Sequence, residues 1–116
     1  MKSDVVYLQH MLEAIARIAT YIGDTGRTQF DAYQMLQDAI IRQLQVIGEA
    51  TRSLSPDLKQ NHPELPWSHI IGMRNRIIHE YFRVDLEIVW EVVQNDLDMI
   101  AEQITKILAD LQQSEK

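Results

Sequence analysis

Between Met73 and Arg83 the sequence reads Met-Arg-Asn-Arg-Ile-Ile-His-Glu-Tyr-Phe-Arg, and four side chains in it can do chemistry together: Arg74, Asn75, His79 and Tyr81. A guanidinium carries a permanent charge and a fork of N–H donors shaped for phosphate. An imidazole titrates near neutrality and can move a proton in either direction. Together they are able to cleave a phosphodiester in RNA without a metal. A base must take the ribose 2′-hydroxyl proton, an acid must protonate the 5′-oxygen, and positive charge must meet the phosphorane. Asn75 stands four residues before His79, on the same face of a helix, where its amide can orient the ring. Arg74 lies about 140° round a helix from His79 and reaches the same phosphate only by its length. Tyr81 would fall almost opposite His79 on a straight helix, so a shared site requires the helix to end or bend near His79. Arg76 and Arg83 complete the only dense cationic stretch and are assigned an auxiliary part in drawing RNA in.

Each residue also has an ordinary use. Arg74 can pair with an acidic neighbour, Asn75 can bridge backbone, His79 can be a partly buried structural histidine, and Tyr81 can edge the core with its hydroxyl in water. A metal reading of His10, His62 and His69 fails on spacing. His10 precedes Glu13 by three, but there is no H-E-x-x-H and no pair of E-x-x-H repeats. No Gly-rich phosphate loop, nucleophile elbow or dinucleotide fingerprint occurs, so neither metal nor cofactor is expected.

The elements that must position these residues are helical. The 116 residues are 46% hydrophobic with only four Gly and three Pro, a balance suited to long helices with few turns, and the length fits one domain over residues 1–116. Val5, Leu8, Leu12, Ile15, Ala19 and Ile22 step by three or four until Gly23 and Gly26. Phe30, Tyr33, Ile40, Leu44, Ile47 and Leu54 predict a second helix of about 25 residues with Thr28 as its N-cap. A second apolar set on it, Met35, Leu36, Ala39, Ile41, Val46 and Ala50, implies burial on two sides, within a four-helix bundle, against a second copy, or both. Residues 53–66 read as a connector with a short helical turn capped by Ser55-Pro56-Asp57. Trp67, Ile70, Ile71, Met73, Ile77 and Ile78 mark a third helix begun by Pro66, with Trp67 in the core. Asp85 caps a fourth, whose stripe is Leu86, Val89, Val93, Leu97, Ile100, Ile104, Leu108 and Leu111, before a frayed tail from Gln112. No strand alternation is visible. The fold class is all-α, an up-and-down bundle of four main helices.

Charge and composition narrow the function. A net charge of −6 repels polyanions, so contact with RNA must be local. The absence of Cys excludes disulfide frameworks, thiolate zinc sites and cysteine nucleophiles, and suits a reducing cytoplasm. No apolar run is long enough to span a membrane.

Arg74-Asn75-x-x-x-His79-x-Tyr81 resembles the R-x4-6-H motif of the HEPN superfamily, in the form with a Tyr two residues on that marks HepT-like toxins. The likeness extends to His62-Pro-Glu-Leu-Pro-Trp67, Ile71-Gly-Met-Arg-Asn75, His79-Glu-Tyr-Phe-Arg-Val-Asp85 and Val46-Ile-Gly-Glu-Ala50, and so covers most of the chain. The resemblance implies a metal-independent endoribonuclease toxin acting as a homodimer, with the motif Arg74 and His79 of two subunits meeting in a cleft. It further implies a type VII-like toxin–antitoxin pair, in which an MntA-like minimal nucleotidyltransferase antitoxin adenylylates Tyr81. The alternative is a non-catalytic HEPN module that docks a nucleotidyltransferase or nucleotide.

Overall fold

The structure, a computed structural model, describes the main chain of residues 2–79 and 83–114 and the side chains of residues 3–77 and 84–113. The first helix, α1 (Lys2–Ile22), stops at Gly23, which takes φ of 45° and donates its N–H to the Ala19 carbonyl at 3.0 Å. Its most buried residues include Leu8, Met11, Ala14 and Ile18, whereas Val5 and Leu12 are half-buried and Ala19 is exposed. The stripe is thus rotated from the expected one. Contacts with both α3 (Gln34–Ser53) and α8 (Leu97–Ser114) centre the buried face between two neighbours.

The expected 25-residue second helix is two helices. α2 (Arg27–Ala32) begins after Gly26, whose extended φ of −85° and ψ of 170° make it the N-cap in place of Thr28. Tyr33 then breaks the helix with φ of −117° and ψ of 89°. The Gln37 side chain stabilises that break by donating to the carbonyls of Phe30 at 2.8 Å and Asp31 at 3.0 Å at the open end of α2, the first of which also accepts from the Tyr33 N–H at 3.2 Å. Phe30 is buried and packs its ring against Trp90 at 5.4 Å.

The connector forms α4 (Pro56–Asn61) with Pro56 in its first turn. The Ser55 hydroxyl accepts from the Leu58 N–H at 3.2 Å and donates to Asp4 at 2.7 Å, while the Ser55 N–H donates to the same carboxylate at 2.9 Å. Asp4 is only 3% exposed, so these bonds hold the start of α1 against the cap of α4. Trp67 is buried as expected, and its indole N–H donates to the Lys59 and His62 carbonyls at 3.1 and 2.9 Å. Nearby, Glu64 accepts from its own main-chain N–H and from His62, in that order of effect, and its carboxyl is held below the usual carboxylate range.

The expected third helix is interrupted: α5 (Trp67–Ile71) and α6 (Met73–Ile77) meet at Gly72. A two-residue antiparallel ladder follows, β1 (Ile78–His79) against β2 (Arg83–Val84), pairing Ile78 with Val84 and His79 with Arg83. It is the one departure from all-α architecture among the described residues. Ile77 is buried and its carbonyl accepts from the Asp85 N–H at 2.7 Å, closing the base of the ladder.

Asp85 caps α7 (Leu86–Glu91) as expected, accepting from the Ile88 N–H at 3.2 Å. The fourth helix contains a π-helical turn, Val92–Asp96, and then continues regularly through Ser114, beyond the expected fraying point at Gln112. The buried positions run Val89, Val92, Leu97, Ile100, Ile104 and Ile107, with Val93 only half-buried. Going from Val92 to Leu97 is a five-residue step, which a π turn places on one face and an α-helix does not.

Candidate active site

Gly72 sets the direction of the segment of interest. Its N–H donates to the Ser68 carbonyl at 2.9 Å, and its own carbonyl accepts from the N–H groups of Asn75 at 3.0 Å and Arg76 at 3.2 Å. The chain restarts as α6 with Arg74 and Asn75 in its opening turn, both exposed and both facing α3.

There they line a trough of about 440 Å³ with Arg42, Gln45, Glu49 and Arg52 of α3. These four α3 residues lie within about 80° of arc on a helix, one polar stripe on the face opposite the buried one. Gly48 and Ile71 form the trough's inner wall. A Cβ on Gly48 would lie 3.7 Å from the Ile70 carbonyl oxygen and 3.8 Å from that of Ile71, so α3 runs close to the end of α5 at this point. Among the described residues three guanidiniums face one carboxylate, that of Glu49. Among the described residues none of the three is within ion-pairing distance of an acid. The pairing of Arg74 with a neighbouring acid, its ordinary use, is therefore not made there. An anion entering the trough would meet donors not already engaged.

Arg76, expected to assist, points elsewhere. Its guanidinium meets His69 Nε2 at 2.6 Å at the mouth of a separate cavity of about 120 Å³, shared with Met73, Val92 and Asp96. Positions two apart lie about 200° round a helix, so α6 divides its two arginines between two depressions.

The main chain of His79 lies in β1, after the helix has ended at Ile77. The expectation that the helix ends near His79 is met, and this corrects the argument that Asn75 and His79 share one helical face. The side chains of His79 and Arg83 lie outside the described residues, as does Tyr81 altogether. The remaining histidines make local contacts. His10 stands edge-on to Tyr7 with ring centroids 6.2 Å apart, and His62 Nδ1 meets Glu64 at 3.1 Å. No group of three His, Cys, Asp or Glu able to hold a metal occurs among the described residues, and none of their helices is long and apolar enough to cross a membrane.

Arg42, Gln45, Glu49 and Arg52 were not singled out from the sequence. Their signal is the spacing i, i+3, i+7, i+10, which is visible round a helix but not as a cluster along the chain.

The family model for ribonuclease HepT-like proteins matches residues 11–107, a span that contains the whole trough. A protein of Thermococcus cleftensis named "Probable ribonuclease HepT" is 35% identical over 101 residues, covering 87% of this chain and 92% of its own. A Methanocaldococcus jannaschii protein named "Gamma-glutamylcyclotransferase and putative RNase" is 39% identical over 112 residues, 96% of this chain but only 50% of its own length. A "Putative RNase" of Caldanaerobacter subterraneus is 32% identical over 108 residues, covering 93% and 96% of the two chains. No solved structure matches the chain.

Proposed function

The chain belongs to the ribonuclease HepT-like family, and from that premise we propose that it is a metal-independent endoribonuclease toxin working as a homodimer in the cytoplasm. The observation that carries the reading is the placement of Arg74 and Asn75 in a trough whose guanidiniums have no acidic partner among the described residues, directly before the chain turns at His79. Arg74 holds the scissile phosphate through paired N–H donors. His79 of one subunit takes the proton from the ribose 2′-hydroxyl, which attacks phosphorus. His79 of the other gives a proton to the departing 5′-oxygen. The products are a 2′,3′-cyclic phosphate and a 5′-hydroxyl. Asn75 acts as a positioning residue for the ring, now from the opening of α6 rather than along a continuous helix.

Tyr81 is the regulatory position. A minimal nucleotidyltransferase antitoxin transfers AMP to it: the phenolic oxygen attacks the α-phosphorus of ATP, pyrophosphate leaves, and the phenol proton passes to solvent. The added phosphate brings negative charge beside Arg74 and His79 and excludes RNA by occupancy and repulsion. Expression of the wild type without an antitoxin arrests growth and degrades RNA, whereas His79→Ala does neither. Equal growth of the two strains would remove the nuclease assignment. Tyr81→Phe keeps the nuclease and escapes neutralisation, which co-expression with the antitoxin reads directly.

A further inference from the structure

The trough is larger than one phosphate needs, and most of its polar wall belongs to α3 rather than to the motif. Arg42 and Arg52 are ten residues apart, about 15 Å along the helix axis at 1.5 Å per residue. Both have exposed side chains and neither is ion-paired among the described residues. Arg42 and Glu49 also border a second depression of about 240 Å³, lined by Tyr7, His10 and Val46, so a cation and a carboxylate share the ridge between the two hollows. A mononucleotide would fill part of one hollow. An extended polyanion fits the length of the trough, with charge repeated along the path. The molecule as a whole cannot supply this attraction, because the net charge of the full chain is −6.

We infer that Arg42 and Arg52 bind phosphates flanking the one at Arg74, so that single-stranded RNA runs through the trough along α3. The inference rests on the nuclease reading for its polarity about the scissile bond, but the binding it describes is independent of cleavage. Glu49, the one carboxylate among the described residues of the trough, opposes it: Glu49→Gln tightens RNA binding.

The test uses the full chain carrying His79→Ala, with a fluorescent single-stranded RNA titrated at several salt concentrations. Adding Arg42→Gln and Arg52→Gln together lowers the slope of log K against log salt by about 1.4, or about 0.7 per lost phosphate contact. The same change weakens binding roughly tenfold or more at low salt. Circular dichroism confirms that the variant is folded. An unchanged slope and affinity, or no RNA binding by the His79→Ala parent, overturns the inference. Cleavage is scored separately with His79 intact. If the wild type cuts RNA and the double-arginine variant cuts with unchanged KM, the inference fails and the nuclease reading stands. If the wild type does not cut but arginine-dependent binding persists, the reading fails and the RNA track stands.

Discussion

Arg74 and Asp4 are both charged, and their surroundings give opposite consequences for losing them. Arg74 is exposed and has no ion-pair partner among the described residues, so Arg74→Ala changes stability by no more than about 0.5 kcal/mol. If it holds the developing phosphorane charge, the same substitution lowers kcat about 100-fold or more. Thermal melts and single-turnover cleavage of one preparation separate the two effects. Asp4 is buried and accepts two hydrogen bonds from Ser55, so Asp4→Ala costs about 2–4 kcal/mol and leaves the kcat of the folded fraction unchanged. Denaturant unfolding measures the loss. Arg74 and Asn75 could be chosen from the sequence because their chemistry is written in a short stretch of chain. The Asp4–Ser55 link could not, since its partners are 51 positions apart and each is an ordinary surface residue type.

At the level of elements the four expected helical regions are all present, because apolar spacing records which stretches bury a face. The interruptions within them are not recorded in that spacing. Tyr33 breaks a run without Gly or Pro, and the compensation comes from the Gln37 side chain one turn later. Gly72 sits inside a stripe whose apolar period continues through it, so nothing in the pattern distinguishes a tolerated glycine from a break. The π turn is legible only once Val92 rather than Val93 is known to be buried. These interruptions set where the candidate residues stand, since Gly72 is what starts α6 with Arg74 and Asn75 facing α3. Gly48 offers a test of that packing. Gly48→Ala adds a methyl at ordinary contact distance from α5 and preserves both fold and cleavage. Gly48→Leu forces a branched side chain between α3 and α5 or into the trough, and it raises KM for RNA even in preparations that remain folded. An equal KM for the two variants would show that RNA does not use this wall.

For the whole molecule, an acidic surface and one local group of arginines together restrict where RNA approaches, and salt should weaken binding through that site alone. If each cleft needs His79 from both subunits, a fully exchanged equal mixture of wild type and His79→Ala retains about one quarter of wild-type activity, the share of dimers with two intact histidines. Retention of one half would mean that each subunit cuts alone. Metal-independent cleavage by Arg74 and His79 is read by incubating the purified protein with end-labelled RNA in excess chelator and identifying the new termini. Fragments bearing 5′-hydroxyl and 2′,3′-cyclic phosphate ends are expected, formed by the wild type and absent with Arg74→Ala or His79→Ala. Fragments with 5′-phosphate ends, or cleavage that stops when the chelator is added, would contradict this chemistry.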